Sequence, residues 1–179
     1  ALKKICQHAD FSTRKMVAGG IVQSKLQYLL PLFGSAPEYL LKGLQVQQMA
    51  AARAVVGLQG RRWSNARLLN YLGWLNIKQQ YAASTLMLTH KIVTTGRPEK
   101  IYSSMATPYP YPTRRATEHQ LRTWAGTTRG QDRTGLTLRT FKYQGIAFYN
   151  SIPRHFRDYS KEQFKCAVCW HSLTGYTGA

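Results

Sequence analysis

The sequence predicts a mainly α-helical protein: a helical bundle, then a basic extension of loops and short strands, then two C-terminal helices. Three observations predict it. Apolar residues recur three and four positions apart through most of the N-terminal half and again near the end, the spacing that gathers them on one face of a helix. Residues that start and stop helices punctuate those stretches. Between the two helical regions lie a Pro/Tyr run and then a stretch rich in Thr, Gly and Arg, neither of which carries a helical pattern.

The elements follow in order. Residues 19–30 carry Ile21, Val22, Leu26, Leu29 and Leu30, and stop at Pro31 and Gly34. Ser35 is placed to cap, Pro37 fits a first turn and Glu38 lies three residues on as in a capping box. A helix is therefore predicted over 37–56, with Leu41, Leu44, Gln48, Ala51, Ala52 and Val55 inward and Gly57 ending it. Ser64 caps a short helix that ends near Gly73. Asn76 caps another over 77–95, where Ile77, Tyr81, Leu88 and Ile92 share a face and Gly96-Arg97-Pro98 is the stop. Pro108, Pro110 and Pro112 then remove backbone donors and bias their predecessors to extended conformations. That run, 105–112, is the predicted linker between a helical domain, 1–104, and a basic C-terminal extension, 113–179. Within the extension, 119–124 and 135–140 read as short strands, 141–150 returns to helical spacing, and Ser160-x-x-Gln163 opens the last helix. No internal repeat is present.

Composition narrows the function. The chain has 25 Lys and Arg against 7 Asp and Glu, a net charge of +18. So one-sided a charge repels itself in the folded state and suits a polyanionic partner, nucleic acid above all. With 44% hydrophobic residues, 11 Tyr, 6 Phe and 4 Trp, the chain can build a core and is not a disordered basic tail. No apolar stretch is long enough to span a membrane, and no charged-then-apolar leader opens the chain. It begins at Ala1 without Met and reads as part of a longer protein.

Cys6, Cys166 and Cys169 are an odd number, fit a reducing compartment, nuclear or cytoplasmic, and make no disulfide framework. Cys166-x-x-Cys169-x-His171, joined by Cys6 or His8, is a possible zinc set, but it has no second ligand pair with its own spacing. The favoured reading makes 160–173 a helix with Phe164, Ala167, Val168 and His171 along one side and both cysteines as small buried residues. No cofactor is predicted. Nor is a catalytic centre: Asp10, Glu38, Glu99, Glu118, Asp132, Asp158 and Glu162 include no adjacent pair for metal-ion chemistry, and no glycine-rich phosphate loop is present.

Basic clusters carry the functional expectation. Arg61-Arg62-Trp63 follows a helix end and Arg114-Arg115 follows the Pro/Tyr run, so each lies in a loop where a guanidinium can reach phosphate and a ring can stack. Trp74 and Trp124 read as core.

Four motifs in order resemble a known family. Phe141-x6-Phe148-Tyr149-Asn150-Ser151-Ile152-Pro153, then Arg157, then Phe164-Lys165, is similar to the closing segment of non-LTR (LINE-type) retrotransposon reverse transcriptases, with Tyr149 and Ile152 standing where Trp and Leu are usual. Residues 24–34, from Ser24-Lys25-Leu26-Gln27-Tyr28 to Phe33-Gly34, resemble that family's S-x-L-x-Y-G-x-x-x-W/F-G stretch, with Leu29 in place of the first Gly. Leu44-Gln45-Val46-Gln47-Gln48, followed by Arg53 and Gly57, is similar to its L-Q-x-x-Q-N then R-x-x-x-G helix, and Thr113-Arg114 stands where T-R is frequent. The resemblance covers Ser24 to Lys165 and lacks the three-Cys-one-His knuckle of some members.

It implies a helical thumb and C-terminal extension that close on template and primer and grip backbone, with no catalytic centre of their own. RNA and DNA are the implied partners, the RNA/DNA hybrid favoured, together with the rest of the parent polymerase, whose aspartates would precede Ala1. On this reading Arg53, Arg61, Arg62 and Arg67 contact the heteroduplex, while Arg114, Arg115, Arg122, Arg129, Arg133 and Arg139 hold target DNA or template RNA. The alternative is a retroelement-derived structural subunit of a ribonucleoprotein or other large assembly.

Overall fold

The computed structural model describes residues 8–28, 30–57, 62–105, 121 and 140–174, with side chains described as far as 168. It is mainly helical, and no strand occurs among the described residues. The predicted linker and both predicted short strands, apart from Leu121 and Thr140, lie outside them.

α1 (Phe11–Ala18), a π-helical turn (Gly19–Gln23) and α2 (Ser24–Gln27) follow one another without leaving helical backbone. The helix expected to begin at Gly19 therefore begins at Phe11. Its start is set by Asp10, whose carboxylate accepts from Ser12 N at 3.0 Å and Thr13 N at 3.3 Å. Hydrogen bonding to Thr13, through its side chain first and then its backbone N–H, holds the Asp10 carboxyl below the usual carboxylate range. The wider π turn falls on Gly19-Gly20, the weakest helix formers in the segment, and the Ser24 hydroxyl donates to the Gly20 carbonyl. Tyr28 is extended and breaks the rod. Pro31 does not end a helix as expected. It sits in the first turn of α3 (Leu30–Phe33), where its missing N–H has no intrahelical partner to lose.

α4 (Glu38–Val56) starts one residue later than predicted, at an N-cap, Pro37, with no side-chain cap bond. The expected capping box at Ser35 is not formed; Glu38 instead meets Lys78 at 3.1 Å, an exposed ion pair that lowers the Glu38 pKa. Leu41, Gln48, Ala51, Ala52 and Val55 are buried as predicted, Leu44 is only half-buried, and Met49 joins the core. Gly57, at φ +77°, ends the helix. Ser64 caps α5 (Asn65–Leu72) by accepting from Arg67 N at 3.3 Å, and left-handed Gly73 closes it. α6 (Ile77–Thr95) opens on a reciprocal box: Gln79 N donates to Asn76 Oδ1 at 2.8 Å and Asn76 N to Gln79 Oε1 at 3.0 Å.

The buried stripe of α6 runs through Ile77, Tyr81, Thr85, Thr89 and Ile92, which leaves Leu88 36% exposed instead of inward. Two threonines displaced it: Thr89 satisfies its hydroxyl by donating to the Thr85 carbonyl at 2.8 Å, so it can be buried although a count of apolar residues passes it over. α7 (Glu99–Met105), which the sequence did not predict, starts straight after Pro98. α8 (Phe141–Ser151), a 3-10 turn (Arg154–Phe156) and α9 (Lys161–Thr174) complete the described elements. α9 opens on the expected box, Ser160 N donating to Gln163 Oε1 at 3.1 Å and Gln163 N to Ser160 Oγ at 3.4 Å. Cys166 on this helix is exposed, which corrects the expectation of a buried thiol.

The chain divides into two compact units, Ala1–Tyr81 and Ala82–Ala179, the division falling within α6. In the first, Ala18, Met49, Ala52, Val55, Leu68, Leu69 and Leu72 form one core, with Val56, Trp63 and Trp74 packed against it. Fully burying a leucine contributes about 1.5–3 kcal/mol, so Leu68 and Leu72, at 0% and 1% exposed, hold a short helix that would not persist alone. In the second, Ile92, Met105 and Ile146 form a core with Tyr102, Leu121 and Phe141 around it.

Candidate nucleic-acid interface

Four glutamines fix the frame that carries the cations of the first unit. Gln48, fully buried, donates to the Leu75 carbonyl at 2.8 Å, and Gln45 Oε1 accepts from Ile77 N at 3.0 Å while its Nε2 donates to Gln48 Oε1 at 2.9 Å. Gln80 Nε2 donates to the same Leu75 carbonyl at 2.7 Å and to Gln23 Oε1 at 3.0 Å. Gln45 and Gln48, bonded this way, define one geometry, because leaving a buried amide unpaired is costly, whereas Gln23 Nε2 and Gln80 Oε1 are buried without a partner among the described residues. Gln45 and Gln48, the two glutamines of the L-Q-x-x-Q stretch, thus fasten α4 to the turn before α6.

On that frame the cations gather around Gly57 and residues 62–67. Arg53, half-buried in the last turn of α4, donates through Nη2 to Asn65 Oδ1 at 2.8 Å. Its charge also complements the helix C-terminus. Arg62 is exposed immediately before Trp63. Arg67, exposed one turn into α5, lays its guanidinium over the Trp63 ring, 4.7 Å from the centroid. Tyr71 meets the same ring edge-on at 5.1 Å, and Trp63 is packed against the core. So Trp63, expected to offer a free face for stacking, is held by its own neighbours. Arg14 of α1 joins the cluster: its Nε donates to the Asp10 carbonyl at 3.4 Å, and a Cβ on Gly57 would lie 3.4 Å from its Nη1.

Among the described residues, no carboxylate pairs with Arg53, Arg62 or Arg67. Two guanidiniums held by neutral partners, with exposed Arg62 beside Trp63, leave a concentration of uncompensated positive charge on one patch. The structure brings Arg53, Arg62 and Arg67 into this neighbourhood. Arg61, Arg114, Arg115, Arg122, Arg129, Arg133 and Arg139 lie outside the described residues. Arg14 was missed by the sequence reading, since nothing local ties a residue of α1 to Gly57. The Arg67–Trp63 contact is local, spanning four positions across the Ser64 cap.

In the second unit the residues of the closing motif turn inward. Asn150 binds both backbone groups of Leu121: Leu121 N donates to Asn150 Oδ1 at 3.0 Å, and Asn150 Nδ2 donates to the Leu121 carbonyl at 2.7 Å. Arg157 donates through Nη2 toward the Asn150 and Ile152 carbonyls, each at 3.4 Å, and stands 5.4 Å from the Tyr149 ring centroid. Tyr149, Ile152 and Phe164 are buried. His90, 2% exposed, stacks on Phe164 with ring centroids 3.9 Å apart and planes 6° from parallel. Burial pushes the His90 pKa down, opposed by a hydrogen-bonding interaction with the Tyr159 backbone. Burial pushes the Tyr149 phenol up, with Arg157 opposing.

Among the described residues, no three His, Cys, Asp or Glu side chains come together to hold a metal ion. The thiols of Cys6 and Cys169 and the His171 imidazole fall outside them. No described helix is long and apolar enough to cross a membrane. Compared with protein-family models, curated proteins and solved structures, the chain matches none.

Proposed function

We propose that this chain is a nucleic-acid-binding thumb and C-terminal region of a LINE-type reverse transcriptase, gripping template–primer or target nucleic acid by its backbone and carrying no catalytic centre itself. The observation that carries the reading is the patch of Arg53, Arg62 and Arg67 in a chain of net charge +18. Guanidiniums oriented by Asn65 and Trp63, and facing no carboxylate among the described residues, are suited to phosphate oxygens, and such contacts fix register without reading sequence. The four ordered motifs support the family, and the expected partners are RNA and DNA, a hybrid duplex preferred.

The test is binding of the whole chain to a labelled RNA/DNA hybrid, with single-stranded RNA and duplex DNA as comparisons, over a salt series. The hybrid should bind best, and log K should fall linearly with log salt by about 0.9 for each phosphate neutralised. Binding that is unchanged from low to high salt would sink the proposal. The alternative, a structural subunit of a large assembly, draws on one other observation: Tyr28, Leu32, Tyr39 and Leu40 are each more than half exposed within one short stretch of the first unit. A folded chain with weak affinity for all three nucleic acids would favour it.

A further inference from the structure

A groove of about 500 Å³ opens in the second unit between α6 and the segment leading into α9, lined by Leu88, His90, Lys91, Tyr159, Lys161 and Phe164 among others. Its size is that of a small-ligand site rather than of a surface dimple. Leu88, the residue that fails to turn inward on α6, is part of its apolar wall. Tyr159 supplies a half-buried ring, kept in place by Phe156 at 5.4 Å and His155 at 6.1 Å. Lys91 and Lys161 are exposed, and among the described residues no carboxylate lines the groove although Asp158 and Glu162 are close in sequence. His90 lines it too, and among the described residues its buried Nδ1 has no hydrogen-bond partner. A buried imidazole nitrogen left unanswered is costly.

We infer that this groove takes one unpaired nucleotide of a single strand: the base against the apolar wall and Tyr159, its N–H groups facing His90, its phosphate between Lys91 and Lys161. This deepens the nucleic-acid reading and rests on it. A grip on backbone holds a duplex, while an apolar slot rimmed by cations holds a base that has left one. The short groove does not suit an acidic helix, which needs anchors spread over several turns.

The experiment titrates the whole chain with a labelled single-stranded pentanucleotide at low salt, and in parallel with a blunt RNA/DNA hybrid. Base–aromatic stacking is strong enough that removing it should weaken pentanucleotide binding about tenfold. Leu88→Arg adds a cation while blocking the slot. General electrostatics predicts tighter binding by this variant and the slot predicts weaker, with the hybrid held as well as before. Lys91→Glu should weaken the pentanucleotide more than the charge-matched Lys25→Glu. In the unaltered protein, a photoactivatable 4-thiouridine in the pentanucleotide should crosslink within residues 87–95 or 159–164, a result that does not depend on any variant folding. No pentanucleotide binding, crosslinks elsewhere, or a folded Leu88→Arg that binds as well or better would each overturn the slot. An acidic aromatic peptide that binds with Leu88 dependence when the pentanucleotide does not would overturn it in favour of a protein partner. Loss of salt-dependent hybrid binding alone would overturn the backbone grip and leave a Leu88-dependent pentanucleotide site standing.

Discussion

The two units use arginine in opposite ways. In the first, Arg53 and Arg67 are propped outward by Asn65 and Trp63, so their charge remains available. In the second, Arg157 points back at the carbonyls of Asn150 and Ile152 that end α8 and lies near the Tyr149 ring. Buried glutamine amides accompany the core of the first unit, while in the second the stacked rings of His90 and Phe164 stand beside a core of Ile92, Met105 and Ile146. The difference teaches that a basic residue in a motif is not thereby a nucleic-acid contact. What its donors already touch decides the matter.

The contrast can be broken at its packing first. A Cβ on Gly34 would lie 2.6 Å from Tyr81 Cγ and 2.7 Å from the Leu30 carbonyl. Gly34→Ala should therefore destabilise the first unit by about 1–3 kcal/mol through overpacking. Denaturant titration followed by Trp fluorescence measures it, and an unchanged midpoint would deny this close approach. Next in size, Asn150→Ala removes two bonds to Leu121, each contributing about 0.5–1.5 kcal/mol. The loss should be seen as faster amide exchange at Leu121 and a lower melting temperature, with hybrid affinity at a fixed low salt changed less than by the arginine variants. Arg67→Ala and Arg53→Ala should do the reverse: fold intact, binding weaker, and the salt slope lower by about 0.9 for each phosphate no longer neutralised. Equal effects from Arg157→Ala on the salt slope would erase the contrast between the units.

The smallest effect sharpens the contrast through pH. His90 has its pKa lowered on folding by burial, so the folded state resists its protonation. Its contribution to stability is fully present above the unfolded histidine value, about 6.5, and is lost as pH falls from there through the lowered folded value. Melting temperatures taken across that range should drop in the native chain. In His90→Phe, which keeps a ring against Phe164, the drop should be smaller.

Helix boundaries were legible where their signals are local. Ser64, Asn76 and Ser160 cap the helices they were expected to cap, and Gly57, Gly73 and Gly96 all take positive φ at the ends they were expected to mark. The misreadings are of two kinds. Pro31 and Ser35 carry signals compatible with more than one position in a turn, and the chain used another. Leu88 lost its place on the inner face to Thr89, because a threonine that bonds its own helix backbone packs like an apolar residue. Of the candidate interface, Arg67 and Trp63 are only four positions apart, whereas Arg14 is distant in sequence from the cations it joins.

By itself the sequence determined the helical class, the caps of α5, α6 and α9, the stops of α4, α5 and α6, and the excess of positive charge. Each depends on residues within a turn or two of one another, or on composition alone. Only the tertiary structure decided that Gln45 and Gln48 bind the 75–77 turn, that Asn65 orients Arg53, that Asn150 clamps Leu121 and that His90 stacks on Phe164. Those partners are distant in sequence, and many arrangements would satisfy the same local rules. Burial selects among them, because an amide or imidazole withdrawn from water without a partner destabilises the fold that leaves it so.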